Sequence, residues 1–385
     1  MSELVAIDLP GGPAFVEVLR RIWDGGDAAL PIDQRLAGPA RAALLDRLAP
    51  ARVVGPGGQS RRAGVPLDDG DALVMATSGT SGVPKGVVLT HTALAASAAA
   101  TSTRLGVDAH RHRWLACLPL NHIGGMSVLT RAVLTETPLD VLAGFDAAAV
   151  IARAGPDVFV SLVATALARV GAESFHTVVL GGSTPPVHVP ANVVTTYGLT
   201  ETGSGVVYDG VALDGVEIDV SVPADVSVPA EEGAGPGIIR LRGPMLLRCY
   251  RSLPVDEQIT PFDAEGWFRT GDVGVIDPAG RLIVHGRLDE MIITGGENVW
   301  PDAVEAILRR HPDVAEVAIA GRPDPEWGQR VVAWVIPRPG GQAPSLASLR
   351  RMVAAELAAF AAPRELVLVE ELARTATGKI RRSVL

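Results

Sequence analysis

The stretch Thr77-Ser78-Gly79-Thr80-Ser81-Gly82-Val83-Pro84-Lys85-Gly86 decides how this chain is read. Its three glycines let the backbone fold tightly enough for main-chain N–H groups to converge on an anion. Four hydroxyls in the first five positions add donors, and Lys85 adds a mobile positive charge. Ahead of the loop, Asp71-Ala-Leu-Val-Met-Ala76 has the pattern of a buried strand; behind it, Val87-Val-Leu-Thr-His91 leads into an alanine-rich helix. A glycine- and hydroxyl-rich loop leaving a strand is suited to hold a polyphosphate. It is not a Walker A loop, because Gly-Lys-[Ser/Thr] is missing from it. A serine–glycine stretch alone would read as a polar surface turn; Lys85 and the rest of the chain decide against that.

The chain has 385 residues, enough for two domains. Aromatics make up only 4%, so alanine, valine and leucine supply the apolar content, as suits an α/β core. A net charge of −9 argues against a nucleic-acid surface, although a locally basic ligand site is compatible with it. Cys117 and Cys249 are too few and too isolated for a disulfide framework or a zinc site, and both are expected to be reduced core residues. The start, MSELVAIDLPGG, lacks the basic and apolar regions of a secretory signal, and no run approaches the roughly 18 apolar residues of a membrane span. A soluble cytoplasmic enzyme is expected, with no nucleic-acid partner and no stable membrane insertion.

Residues 1 to 70 read as a helix (Ala14 to Trp23), a proline-bounded connector and a second helix (Pro39 to Leu48). From Asp71 to Thr196, strand-like runs at 71–76, 113–118, 139–142, 157–161, 177–181 and 192–196 alternate with helical stretches at 91–105, 125–136, 146–154 and 163–171. This alternation predicts parallel sheet covered by helices. After Tyr197 the texture changes to short strands and turns (216–222, 236–242, 274–276), expected to form a β-rich subdomain. Arg281–His285 reads as one more strand, and the domain boundary is placed after Arg287. Residues 1–287 then form a large N-terminal domain. Residues 288–385 form a small α+β domain with helices at 301–310 and 345–357 and strands at 314–320, 331–336 and 365–368.

The loop at 77–86 resembles the phosphate-binding signature of the adenylate-forming superfamily, which includes acyl-CoA ligases, peptide-synthetase adenylation domains and luciferases. The resemblance recurs in order at Tyr197-Gly-Leu-Thr-Glu201-Thr, Gly266-Trp-Phe-Arg-Thr-Gly-Asp272, Gly286-Arg-Leu-Asp289, Gly295-Gly-Glu-Asn298 and Thr377-Gly-Lys379. Each fragment is a weak match, whereas six in order exclude coincidence. The resemblance implies an α/β N-terminal domain with a mobile C-terminal domain, and three co-substrates or cofactors: ATP, Mg2+ and CoA. Family members carry longer segments ahead of the loop than the 76 residues here, which implies a first sheet lacking part of its strands.

Making an acyl adenylate requires a carboxylate to attack the α-phosphate of ATP, so two mutually repelling anions must be held together. By resemblance, Lys379 bridges the acid and the α-phosphate; from the tail alone, with Arg381 and Arg382 following, it would read as an exposed lysine. The resemblance gives Glu201 the Mg2+, Thr200 the α-phosphate, and Tyr197 the adenine. Thr77, Ser78, Gly79, Thr80, Ser81 and Lys85 fall to the phosphates, with Gly181, Gly182 and Ser183 along the adenine and acyl pocket. Asp272 would accept the ribose hydroxyls, and Arg287 would lie at the ribose–phosphate edge. Asp289 is the expected hinge: one orientation of the small domain presents Lys379, the other brings Gly295 and Gly296 to the site for thiol attack. Trp327 matches a position near the CoA nucleotide and reads equally as a packing tryptophan.

For the acid, His122 in Pro119-Leu-Asn-His-Ile-Gly-Gly125 matches the family's gate between the ATP and acyl pockets, against the ordinary reading of a core histidine. Arg131 interrupts an apolar helix; it either faces solvent or waits for a second substrate carboxylate. Tyr197 to Val216, with Tyr208-Asp-Gly210 and Leu213-Asp-Gly-Val216, looks like the o-succinylbenzoate–CoA ligases of menaquinone synthesis, particularly the short actinobacterial form. Gly203, Ser204 and Gly205 would leave room for the aromatic ring. Another aryl-CoA ligase of the benzoate type, a stand-alone adenylation enzyme loading a carrier protein, and a silent nucleotide-binding protein are the competing readings. Partners are the aromatic acid, ATP and CoA, with room for a homodimer.

Overall fold

In the computed structural model, residues 1–78, 84–183, 185, 188–221, 236–251, 261–374 and 380–385 are described. They divide into two compact units, Met1–Glu217 with Leu241–Phe268, and Ile218–Arg240 with Arg269–Leu385.

The first unit contains two seven-stranded sheets. One runs in the order Cys249–Arg251, Pro84–Thr90, Asp71–Ser78, Ala28–Pro31, Leu4–Ile7, Arg52–Gly55, Gly58–Arg61. Leu4–Ile7, next to the central strand Ala28–Pro31, is sealed from solvent, pairs in parallel with strands on both sides, and shares a buried cluster with Leu30, Leu45 and Leu48. Four short strands between Leu4 and Arg61 thus join a sheet that the short lead-in suggested would be depleted. At four residues each they carry too little periodicity to be read from sequence. The strand leading into the loop keeps the parallel expectation on one side, where it pairs with Ala28–Pro31, but not on the other. Asp71–Ser78 pairs antiparallel with Pro84–Thr90, with Thr77 opposite Lys85.

The second sheet meets the parallel expectation. Strands Leu139–Val141, Arg113–Ala116, Gly155–Leu162, Phe175–Leu180 and Val193–Gly198 are mutually parallel, and Gly205–Tyr208 and Val211–Ala212 add an antiparallel edge. Helices His91–Leu105 and Ile123–Leu134 pack on one another, and the latter is buried from Gly125 to Ala132. The first of them is started by Thr90, whose hydroxyl accepts the Ala93 N–H at 3.1 Å. Cys117 and Cys249 are free and buried, and burial pushes the Cys117 thiol up to about 12, as befits an inert core residue.

The second unit holds most of a four-stranded sheet, Glu217–Ser221, Gly237–Arg242, Phe268–Ile276 and Leu282–Arg287. It also holds a five-stranded sheet built on the long hairpin Val314–Asp324 and Gly328–Pro337, against which helices Pro301–Leu308 and Leu346–Ala354 bury Val304, Leu308, Leu349 and Val353. Among the described residues no helix is long and apolar enough to cross a membrane.

Arg251 fastens the first sheet from within. Its guanidinium donates to four main-chain oxygens, those of Leu48 (2.8 Å), Ala49 (3.3 Å), Val65 (2.6 Å) and Pro66 (3.3 Å). Arg251→Met keeps the volume and removes every donor. It should lower unfolding stability by about 2–4 kcal/mol in a urea titration, because the carbonyls are left unpaired.

Candidate active site

The parallel strands of the second sheet all end at one edge, the position where open α/β sheets hold their ligands. Three of the sequence-derived segments leave that edge: Pro119–Gly125 after Arg113–Ala116, Gly181–Ser183 after Phe175–Leu180, and Thr200–Gly205 after Val193–Gly198. Gly182 and Ser183 are exposed, and Gly181, Tyr197 and Thr200 are half-buried.

Glu201 lies in the single 3-10 turn Thr200–Thr202. Thr202, fully buried, fastens the turn: its Oγ1 accepts the Leu199 N–H at 2.8 Å and is 2.6 Å from the Ser204 carbonyl oxygen. Gly203 closes it at φ 67°, a left-handed conformation that favours glycine. The Leu247 N–H holds the Glu201 carbonyl at 2.7 Å. The carboxylate accepts the Tyr250 hydroxyl at 2.9 Å, and the same tyrosine ring lies under Lys85, whose Nζ is 5.4 Å from its centroid. One side chain therefore joins the lysine of the phosphate loop to the acid of the second motif. Sequence reasoning missed Tyr250, which is 49 residues from its partner.

Thr77 Oγ1 reaches the Lys85 carbonyl at 3.4 Å. Gly79, Thr80, Ser81 and Lys379 lie outside the described residues, as does the side chain of Ser78. Among the described residues no three His, Cys, Asp or Glu side chains form a metal cage. A lone hard carboxylate such as Glu201 fits Mg2+, which takes most of its ligands from phosphate and water.

Arg131 is 2% exposed, which excludes a solvated helix face. Its Nη2 donates to Ser204 Oγ at 3.2 Å, and the guanidinium lies 4.7 Å from the Trp114 ring centroid. Nε and Nη1 have no hydrogen-bond partner, and no carboxylate pairs with it, among the described residues. Burial pushes its pKa down, against a smaller opposing influence of Tyr208. A cation in this state is costly to the fold.

His122 caps the same helix, and its carbonyl accepts the Met126 N–H at 2.9 Å. Its Nε2 is 3.2 Å from Arg35 Nη2 and 3.2 Å from Asn121 Nδ2. Arg35 is in turn held by both oxygens of Asp33 at 2.9 Å. Burial of Asp33 disfavours its charge, but the Arg35 hydrogen bonds outweigh that and bring its carboxyl below the usual range. Neither residue carried a motif signal.

In the second unit, Asp272 and Arg287 are opposite each other on adjacent strands. Arg287 reaches the Asp272 carboxylate at 3.4 Å, the Thr270 carbonyl at 3.2 Å and Asp289 at 3.2 Å. Burial works against its charge, but these acids prevail and raise its pKa. Asp289 occupies the 3-10 turn Leu288–Glu290. Three residues past Lys379, Arg382 pairs with Glu290, with Asp302 at 2.5 Å and with the buried Glu305 at 2.8 Å.

Gly295 and Gly296 form the two-residue turn between Ile292–Thr294 and Glu297–Val299, with φ of 62° and 83°. The Gly295 N–H donates to the Trp327 carbonyl at 2.8 Å, and a Cβ on Gly295 would stand 2.7 Å from the Trp327 ring. Arg364 stacks on that ring at 4.0 Å. The structure thus brings together the three residues expected at the CoA end.

Comparison with known proteins places these features. Residues 34–251 match the AMP-binding enzyme model, and residues 303–379 match the AMP-binding enzyme C-terminal domain. The chain belongs to the AMP-binding enzyme family. A probable 2-succinylbenzoate–CoA ligase of Mycobacterium tuberculosis is 39% identical over 408 residues, covering 99% of this chain and 97% of that relative. The 2-succinylbenzoate–CoA ligase of Listeria monocytogenes is 33% identical, over 82% of this chain and 69% of its own. Among solved structures, o-succinylbenzoate CoA synthetase from Bacillus subtilis in complex with the acyl-adenylate OSB-AMP superposes with a TM-score of 0.85 at 27% identity, over 99% of this chain and 87% of that one. The adenylate-forming fold and the ATP-dependent, AMP-forming CoA ligase class expected from the motifs are therefore met.

The Gly295 turn yields a local test. Gly295→Ala should cost about 1–2 kcal/mol through its positive φ and displace the Trp327 ring, read as a shift of that indole N–H resonance in an NMR spectrum. An unmoved resonance would separate the turn from the tryptophan.

Proposed function

We propose that this AMP-binding enzyme is the 2-succinylbenzoate–CoA ligase of a menaquinone pathway, acting in the cytoplasm on the free acid, ATP and CoA. The observation that carries the substrate choice is Arg131. An enzyme gains from a buried guanidinium with two unfilled N–H positions only if an anion arrives to fill them. A substrate with two carboxylates supplies it: one reacts, and the other is held by Arg131 with Ser204 beside it. The named activities of the Mycobacterium, Listeria and Bacillus relatives support the same choice.

In the first half-reaction a carboxylate oxygen of the acid attacks the α-phosphorus, and the bond to pyrophosphate breaks. Lys85 and the hydroxyls of Thr77, Ser78, Thr80 and Ser81 hold the phosphates, and Thr200 donates to the α-phosphate. Tyr197 and the Gly181-Gly182-Ser183 segment flank the adenine, Asp272 accepts the ribose hydroxyls, and Arg287 faces their phosphate edge. Lys379 bridges the two reacting anions and stabilises charge developing on the α-phosphoryl oxygens. Glu201 would hold Mg2+, which when bound would supply positive charge against the phosphates. In the second half-reaction the CoA thiolate attacks the acyl carbon and AMP leaves with the bonding pair. Residues 288–385 turn about Asp289 between the two steps, replacing Lys379 by the Gly295-Gly296 turn and Trp327.

Two substitutions test this reading. Lys379→Ala should reduce acid-dependent pyrophosphate exchange by about a hundredfold or more, while thioester formation from preformed adenylate is spared. Equal loss of both steps would exclude the two-orientation scheme. Arg131→Met should weaken kcat/KM for 2-succinylbenzoate by about a hundredfold relative to benzoate. It should also leave the protein more stable, by about 1–4 kcal/mol, because an uncompensated buried charge has gone. An unchanged ratio between the two acids, read from AMP release, would remove Arg131 from the acid site and favour a benzoate-type ligase.

A further inference from the structure

The contact between Arg35 and His122 carries chemical information that distance alone does not. An arginine N–H can only donate, so the His122 Nε2 that it meets at 3.2 Å must present its lone pair. Asn121 Nδ2, at 3.2 Å from the same nitrogen, is a second donor and agrees. A neutral imidazole has one donor and one acceptor nitrogen, so its proton belongs on Nδ1. Arg35 is not free to turn away. Asp33, 8% exposed, accepts from its Nε, its Nη2 and its main-chain N–H, all at 2.9 Å. The carboxylate leaves the dyad nearly neutral overall, so its influence on the histidine comes through this directed N–H rather than through net charge.

We propose that Arg35, anchored by Asp33, is a positioning residue that locks His122 as the neutral imidazole protonated on Nδ1. The proposal rests on the reading of His122 as the gate between the ATP and acid pockets. With Nε2 committed to the dyad, the ring N–H is at Nδ1. Protonating Nε2 would set two N–H groups against each other, so the dyad also keeps a second cation off the helix that already buries Arg131. The groups that meet the ring include Arg35, held by Asp33 on the same segment Ile32–Leu36, and Asn121 beside it.

The test uses the full chain with 15N-labelled histidine and the variants Arg35→Met and Arg35→Lys. In the unaltered protein, long-range 1H–15N spectra should show His122 with an unprotonated Nε2 and a protonated Nδ1. Arg35→Met should shift His122 towards the Nε2–H form, and kcat for adenylation should fall about tenfold with KM for ATP within about twofold. Arg35→Lys, which keeps a donor but not the fork, should retain most of the Nδ1–H signal. Arg35 has a half-exposed side chain (52%), so an unchanged urea midpoint is expected and checks that the fold is intact. An Nε2–H signal in the unaltered protein, or no change of tautomer in Arg35→Met, overturns the lock. A tautomer that changes while kcat does not upholds the lock and overturns the gate reading instead.

Discussion

A guanidinium buried in an apolar helix, with no carboxylate paired to it among the described residues, is the constraint around which the neighbouring core is arranged. Ile123–Leu134 buries Met126, Val128, Leu129 and Ala132 together with Arg131, so the charge cannot reach water by turning outward. The fold meets its cost with one serine hydroxyl and the face of Trp114. Neither neutralises it. A core selected for stability alone would place leucine or methionine there, which makes the arginine a demand on its surroundings rather than a contribution to the fold.

That demand is local, and the surrounding scaffold is rigid enough to impose it. Trp114, Phe159 and Tyr208 stand with Val128 and Ala132 in one buried cluster, and Tyr208 is fixed further by its hydroxyl, 3.3 Å from Thr101 Oγ1. The strand Gly205–Tyr208 begins directly after Ser204, so the residue that meets the guanidinium is positioned by an antiparallel edge strand rather than by a long loop. Precision of this kind belongs to sites built on sheet and helix ends. The same logic places Glu201, whose turn is pinned by Thr202 on one side and Leu247 on the other.

Much of this was legible in the chain. Motif residues declare themselves because close backbone approach needs glycine and phosphate needs hydroxyls and cations, and long alternating segments give their elements within a few residues. Arg131 could be singled out because a charge in an apolar helix breaks the local pattern. Tyr250, Arg35 and Asp33 could not. Tyr250 and Arg35 follow ordinary local preferences and matter through partners 49 and 87 residues away, and Asp33, two residues from Arg35, matters through Arg35. Leu4–Ile7 is fully buried and yet is too short to show a period.

The loop at 77–86 rests on a support that its motif alone does not specify. A strand–loop–helix order would set the helix dipole against the phosphates, as helix N-termini do for many nucleotides. Here Thr77 faces Lys85 and Ser78 faces Pro84 across an antiparallel pair, so the loop closes a hairpin. The helix that follows begins at His91, and Thr90 already caps it. Lys85, at the start of the second strand of that hairpin, is steadied over the Tyr250 ring. Held by a hairpin rather than a helix, the lysine shares its position with Glu201 through one tyrosine. The two charges are thereby spaced by one aromatic side chain that touches both.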